Sequence, residues 1–197
     1  SFSPNCDKTY VPDDNFEAIL EAEGFGDGIA NNDSVFTANI SNIVSVNVPG
    51  ENIGDLTGIE DFSALNFLNC SNNQLSILNL SNNIALDTLW CSNNQLTNLD
   101  VSSNTVLIEL SCDNNQLSSL DVSNNIDLDT LWCGNNQLSS LDVSNNISLG
   151  GLSCHNNQLI SLDVSNNISL GGLYCHNNQL TNLDVRNGNN TNFTNFR

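Results

Sequence analysis

The residues that could do chemistry in this chain recur at a fixed interval. His155 and His176 lie 21 residues apart, each directly after a cysteine. If consecutive repeats stack, the two imidazoles sit about 5 Å apart, close enough to share a transition metal. Only two ligands are in view, and Asp113 lies two repeats from His155. Surface histidines copied along with their repeat are the competing account. Asp100, Asp121, Asp142, Asp163 and Asp184 form a second series at the same interval, with Asn79 at its start. Neighbouring carboxylates at this spacing repel by roughly 0.8 kcal/mol even in bulk water. A hard cation such as Ca²⁺ bridging them would relieve that repulsion. One carboxylate per repeat makes a sparse coordination shell, and a solvated acidic face explains the same series.

Cysteine marks the interval most clearly. Cys70, Cys91, Cys112, Cys133, Cys154 and Cys175 are each 21 residues after the last. Stacked one strand apart, their parallel Cβ vectors keep the Cβ atoms about 4.8 Å apart, beyond the usual disulfide span of about 3.5–4.5 Å. The expectation is a column of buried free thiols packing as small hydrophobes. Cys6 has no evident partner. Buried thiols are poor nucleophiles. Ser153 lies near His155 and His176, yet no third residue is placed to orient a base. No catalytic constellation and no cofactor signature is present, so the chain reads as a non-enzyme.

A fixed period of this length implies a stacked-repeat architecture. Six regular rungs start at Leu65, Leu86, Leu107, Leu128, Leu149 and Leu170. Each reads L-x-x-L-x-C-x-x-N-x, then L-x-x-L-[DN]-[VL]-x-x-N-x-x, with Gly188 at the last Asn position. Strand alternation puts Leu89 and Cys91 inside and Trp90 outside. In the second half it puts Leu99 and Val101 inside and Asp100 outside. Both broad faces should therefore carry short strands, giving a mostly β solenoid of weak curvature. One asparagine column (Asn73, Asn94, Asn115, Asn136, Asn157, Asn178) and a second (Asn83, Asn104, Asn125, Asn146, Asn167) mark the corners. There backbone groups leave the ladder and need partners.

The first half of the rung matches the leucine-rich-repeat core, and the second half repeats it. This nested 21-residue unit resembles the bacterial leucine-rich-repeat class called IRREKO. The stretch from Asn52 to Glu60 resembles instead the internalin type of repeat. The resemblance implies a secreted or cell-surface bacterial protein, often with a C-terminal sorting module. The domain reading is an N-terminal cap (1–42), a variant first rung (43–64), six leucine-rich repeats (65–190) and a C-terminal tail (191–197). Within the cap, the run Asp14-Asn15-Phe16-Glu17 reads as a capping box with Asp14 as the cap, opening a short helix over about 14–23. The start at Ser1 reads as a mature or trimmed product, and the end at Arg197 suggests that more sequence follows.

The cysteine-side outward positions vary most. Their central column is Asn69, Trp90, Ser111, Trp132, Ser153 and Tyr174. Glu109, Asp113, His155 and His176 flank it. Exposed aromatic rings are typical binding anchors, although rings also serve merely to cover strand backbone. With 22 acidic against 3 basic residues and a net charge of −19, the surface repels nucleic acid and anionic membrane. No segment approaches the length of a membrane span.

These features point to a monomeric binding or adhesion module for a protein or a glycan, at Trp90, Trp132, Tyr174, His155, His176, Glu109 and Asp113. A passive stalk or spacer, or cation-dependent assembly through the Asp ladder, are the alternatives.

Overall fold

The structure is a computed structural model and describes residues 7–188 and 195–196. One turn of chain adds one strand to a parallel sheet. These strands are β3 (Ser45–Asn47), β4 (Phe67–Asn69), β5 (Thr88–Trp90), β6 (Glu109–Ser111), β7 (Thr130–Trp132), β8 (Gly151–Ser153), β10 (Gly172–Tyr174) and β12 (Asn195–Phe196). They lie side by side in that order. Register advances one repeat per strand: Leu68 pairs with Leu89, Leu89 with Leu110 and Leu110 with Leu131. The central leucine of β4 to β8 and of β10 points into the core, where Leu65 to Leu173 and the cysteines are buried.

The two broad faces are not equivalent. On the aspartate side, among the described residues, ladder strands form only between β9 (Ser161–Asp163) and β11 (Asn182–Asp184). Earlier rungs cross this face with Leu99, Leu120 and Leu141 still facing inward. The expectation of strands on both faces is thus met along the whole cysteine side and only at the last two rungs of the other. At each aspartate the Oδ1 atom takes the backbone N–H two residues on, as in Ser102→Asp100 and Ser123→Asp121, both at 2.9 Å. That bond closes the turn within its own rung.

Asparagine ties the rungs together. Asn115 Nδ2 donates to the carbonyl of Cys91 in the preceding rung and of Cys112 in its own, both at 3.1 Å. Its Oδ1 accepts from Leu96 N, again in the preceding rung, at 3.0 Å. The same pattern runs through Asn94, Asn136 and Asn157. The second column works differently. Asn125 Nδ2 donates to Val101 O and Asn104 O, yet the Oδ1 atoms of Asn83, Asn104, Asn125, Asn146 and Asn167 are buried without a hydrogen-bond partner. One column therefore donates and accepts, while the other only donates. The residue before each first-column Asn is also Asn. These residues, from Asn72 (φ 60°) to Asn177 (φ 55°), sit in the left-handed region, which Asn tolerates better than other side chains.

The N-terminal cap packs on the first rung. Helix α1 spans Asp14–Ala22, and its cap is Asp13 rather than Asp14. Asp13 Oδ1 accepts from Asn15 N and Phe16 N. Its Oδ2 accepts from Gly54 N and Asp55 N in the first rung, so one carboxylate starts the helix and docks it. Asp14 already has helical backbone. Glu17 does not close a capping box, because its carboxylate turns to Asn32 N and Asp33 N. Phe16 stacks on Phe62 at 6.2 Å, covering the apolar end of the solenoid. Strands β1 (Lys8–Tyr10) and β2 (Ser34–Phe36) pair antiparallel beside the helix, and α2 (Thr37–Ile40) leads toward β3. Cys6 and most of the tail at 191–197 lie outside the described residues.

Cys70, Cys91, Cys112, Cys133, Cys154 and Cys175 are free and buried. Burial pushes the Cys70 and Cys154 thiols up to about 12, so both stay protonated near neutral pH. In a Cys6→Ser background, a soluble thiol reagent at pH 8 should label none of the six until denaturant is added. Asn115→Ala should lower unfolding free energy by about 2 kcal/mol, since it orphans the buried Leu96 N–H and leaves Cys91 O and Cys112 O with one asparagine donor each, Asn94 and Asn136. Asn125→Ala should cost about 1 kcal/mol less, because it also removes an unpaired buried oxygen. Denaturant titration of both variants measures the difference.

Candidate functional site

The outward column of the cysteine-side sheet runs straight through six strands. Register pairs Asn69 with Trp90, Trp90 with Ser111, Ser111 with Trp132, Trp132 with Ser153 and Ser153 with Tyr174. The sequence-predicted residues fall into two groups. Trp90 and Glu109 form the first: Trp90 Nε1 donates to Glu109 Oε1 at 2.9 Å. Phe67 meets Trp90 edge-on at 5.2 Å, so this indole is half-buried and fixed. The second group is Asp113, Trp132, Ser153, His155, Tyr174 and His176, which line an open hollow of about 380 Å³. Trp132 is the exposed ring, at 44%.

Asp113 and His155 were expected two rungs apart, and their backbones are. Their side chains nonetheless converge, because Gly134 occupies the intervening position. A Cβ at Gly134 would collide with His155 Cε1 and Nδ1 and lie 2.9 Å from Asp113 Oδ1. The missing side chain is therefore what lets the imidazole lean toward the carboxylate. Asp113 Oδ1 also accepts from Gly134 N at 2.8 Å. Burial pushes the Asp113 carboxyl up, opposed chiefly by the Gly134 N–H.

An amide chain sets the state of His155. Asn177 Nδ2 donates to Asn156 Oδ1, and Asn156 Nδ2 donates to Asn135 Oδ1, both at 2.6 Å. That leaves Asn135 Nδ2 facing His155 Nε2 at 3.2 Å, so Nε2 is the acceptor. Nδ1–H then donates to Ser153 Oγ at 2.9 Å. This tautomer is assigned from the network. The His155 and His176 rings stack at 5.0 Å and 16°. With both His155 nitrogens engaged, the pair presents a flat polar platform in place of an open pair of metal ligands.

The Asp ladder spends its charge on its own turns. The Ser102 hydroxyl and backbone N–H lower the Asp100 carboxyl, and Ser123 and Ser144 do the same for Asp121 and Asp142. Repulsion from Asp100 raises Asp121, but it is the smallest contribution there. Arg186 grips Asp184 through Nε and one terminal nitrogen and brings it to about 2. Among the described residues, three carboxylates lie close together only at Asp14, Glu17 and Asp33. Of these, Glu17 is occupied in closing the loop at Asn32 and Asp33.

One surface was legible in the sequence and passed over. Ile84, Ile126, Ile147 and Ile168 follow the second asparagine column by one residue and are each 55–63% exposed. The recurring Asn-Asn-Ile was its signal.

These lowered carboxyls fix the sign of an acid dependence. Groups depressed in the fold stabilise it above their unfolded value of about 3.9 and lose that stabilisation as pH falls through the folded value. The melting temperature should therefore hold from about pH 6 to pH 4 and drop between pH 4 and 2. Asp113, shifted the other way, opposes this as a single group. A flat profile through pH 2, followed by circular dichroism, would contradict the assignment.

No protein-family model matches the chain, and no curated protein matches it. Solved structures do. The functional domain of InlJ from Listeria monocytogenes, described as including a cysteine ladder, is 32% identical with a TM-score of 0.72 over 96% of this chain. A Leptospira interrogans LRR protein is 28% identical, with a TM-score of 0.63 over 76% of this chain. An internalin C2 from Listeria monocytogenes shares the fold at 22% identity and a TM-score of 0.61. The chain spans 47% of the InlJ domain's length and 38% of the Leptospira protein's. With its in-register leucine ladder and these bacterial likenesses, the chain is a bacterial-type leucine-rich-repeat protein.

Proposed function

We propose that this chain is a non-enzymatic binding or adhesion module, secreted or displayed at a cell surface, that recognises a protein or glycan on its cysteine-side sheet. The observation that carries the reading is the hollow at Trp132, where Tyr174, His155, His176 and Asp113 converge beside an exposed indole. The hollow offers an apolar anchor with carboxylate and imidazole groups at its edge, a common composition for a recognition site. The aspartate side repeats one solution, Asp followed by a turn-closing N–H, from rung to rung. Variation is greatest on the face that carries the rings. Trp90 and Glu109 extend the surface toward the N-terminal end.

Cation-dependent assembly through Asp100, Asp121, Asp142, Asp163 and Asp184 is a weaker reading. Each of these carboxylates already accepts a backbone N–H two residues on. It would require the melting temperature to rise from chelator to millimolar Ca²⁺, and the expected result is no change. The chain is taken to act as a monomer.

For an identified ligand, Trp132→Ala combined with Tyr174→Ala should weaken binding at least about tenfold, or about 1.4 kcal/mol, with the fold intact by circular dichroism. Unchanged affinity would move the site elsewhere. A stalk without a ligand predicts no change in tryptophan fluorescence with any glycan or protein tested.

A further inference from the structure

We propose that the cysteine-side sheet binds an extended β-1,4-linked glycan carrying free amino groups, laid across the strands with alternate sugars on Trp90, Trp132 and Tyr174. The inference rests on the reading of this face as the ligand surface and narrows it to one chemistry.

The first argument is spacing. The three rings occupy every second strand of one column, with Ser111 and Ser153 between them. Two strand spacings put successive rings roughly 9–10 Å apart. An extended β-1,4-linked pyranose chain turns over at each sugar, so it presents the same face once per disaccharide, at close to this interval. The C–H face of a pyranose stacks well on an aromatic ring, whose face is electron-rich. An extended peptide fits poorly, because its same-side residues recur about every 6.6–6.8 Å. An α-1,4-linked glycan coils away from a straight track.

The second argument is the shape of the track. Between the rings the sheet presents Ser111, Gly151, Ser153 and Gly172, and Ser111 is buried to 7% exposure. The floor is low and flat, suited to a ribbon one sugar thick. An α-helix could meet the ring interval at every seventh residue, about 10.5 Å, but is itself about 10–12 Å across and finds no walls here.

The third argument is charge. Glu109 begins β6, and Asp113 lies two residues beyond its end, so the two carboxylates flank Ser111, the position between Trp90 and Trp132. Glu109 Oε1 is held by the Trp90 indole and Asp113 Oδ1 by Gly134 N. Both therefore stand fixed beside the sugar that bridges the two indoles. An ammonium substituent at either edge of that sugar meets one of them, and the net charge of −19 attracts a cationic chain while repelling sulfated or uronic glycans.

The test is tryptophan-fluorescence titration of the whole chain with hexasaccharides of β-1,4-linked glucosamine, its N-acetylated form, β-1,4-linked glucose and α-1,4-linked glucose. A heparin fragment and a basic helical peptide complete the panel. The glucosamine chain should bind tightest, with the α-linked and anionic chains silent. Trp132→Ala should weaken it at least about tenfold. Glu109→Gln with Asp113→Asn should remove its preference over the N-acetylated chain. No binding of the glucosamine chain overturns the proposal, as does binding that survives Trp132→Ala or N-acetylated chains binding tighter. If the basic helical peptide binds instead and loses affinity in Trp132→Ala, the glycan assignment fails while the face remains the recognition surface.

Discussion

The structure depends on one side-chain amide per rung that reaches back to the rung before it. A rung of 21 residues cannot bury enough apolar surface to stand alone. Leucine and cysteine supply an apolar filling, but filling has no register of its own. The first-column asparagines supply register, since each takes a carbonyl and an N–H from the preceding rung while bonding a carbonyl of its own. A slip of one residue would leave these buried backbone groups unpaired, each at a cost of about 1–3 kcal/mol. The left-handed asparagine just before it turns the chain so that the amide points inward.

Register fixed inside becomes geometry outside. Because every rung advances the sheet by one strand, a residue type repeated every two rungs appears at twice the strand spacing. Trp90, Trp132 and Tyr174 are such a series. Small departures from the repeat then shape the surface: Gly134 in place of a side chain lets His155 approach Asp113, and Ser153 gives its Nδ1–H an acceptor. The amide chain Asn177–Asn156–Asn135 runs in one direction and ends on that imidazole. A device that serves the backbone turns in other rungs thus also orients the His155 ring and fixes its tautomer.

The period made most of this legible in the sequence. The parallel stack, the inward leucines and cysteines, the two asparagine columns and the outward ring column all follow from counting by 21. What escaped depends on side-chain direction, which periodicity does not encode. Asp113 and His155 are two rungs apart by count and neighbours by rotamer. Asp13 rather than Asp14 caps α1, because its second oxygen also reaches Gly54 and Asp55 from a distant part of the chain. The second asparagine column resembles the first in sequence, yet its oxygens face no donor. The aspartate face alternates as a strand should, yet among the described residues ladder pairing there is confined to β9 and β11, although the turn-closing bond to Asp recurs in those rungs as in the others. The isoleucine row, Ile84, Ile126, Ile147 and Ile168, follows a corner asparagine and lies outside the two broad faces that counting by 21 singles out.

The central claim is that each 21-residue rung adds one strand spacing along a single column. Gln74 and Gln158 are both exposed and four rungs apart, and the native thiols of the core are buried. Spin labels at Gln74→Cys and Gln158→Cys, with Cys6→Ser, should give a narrow distance distribution near roughly 19 Å, lengthening by about 4.8 Å when the second label moves to Gln179. A broad distribution, or one that does not lengthen with the added rung, would contradict the account.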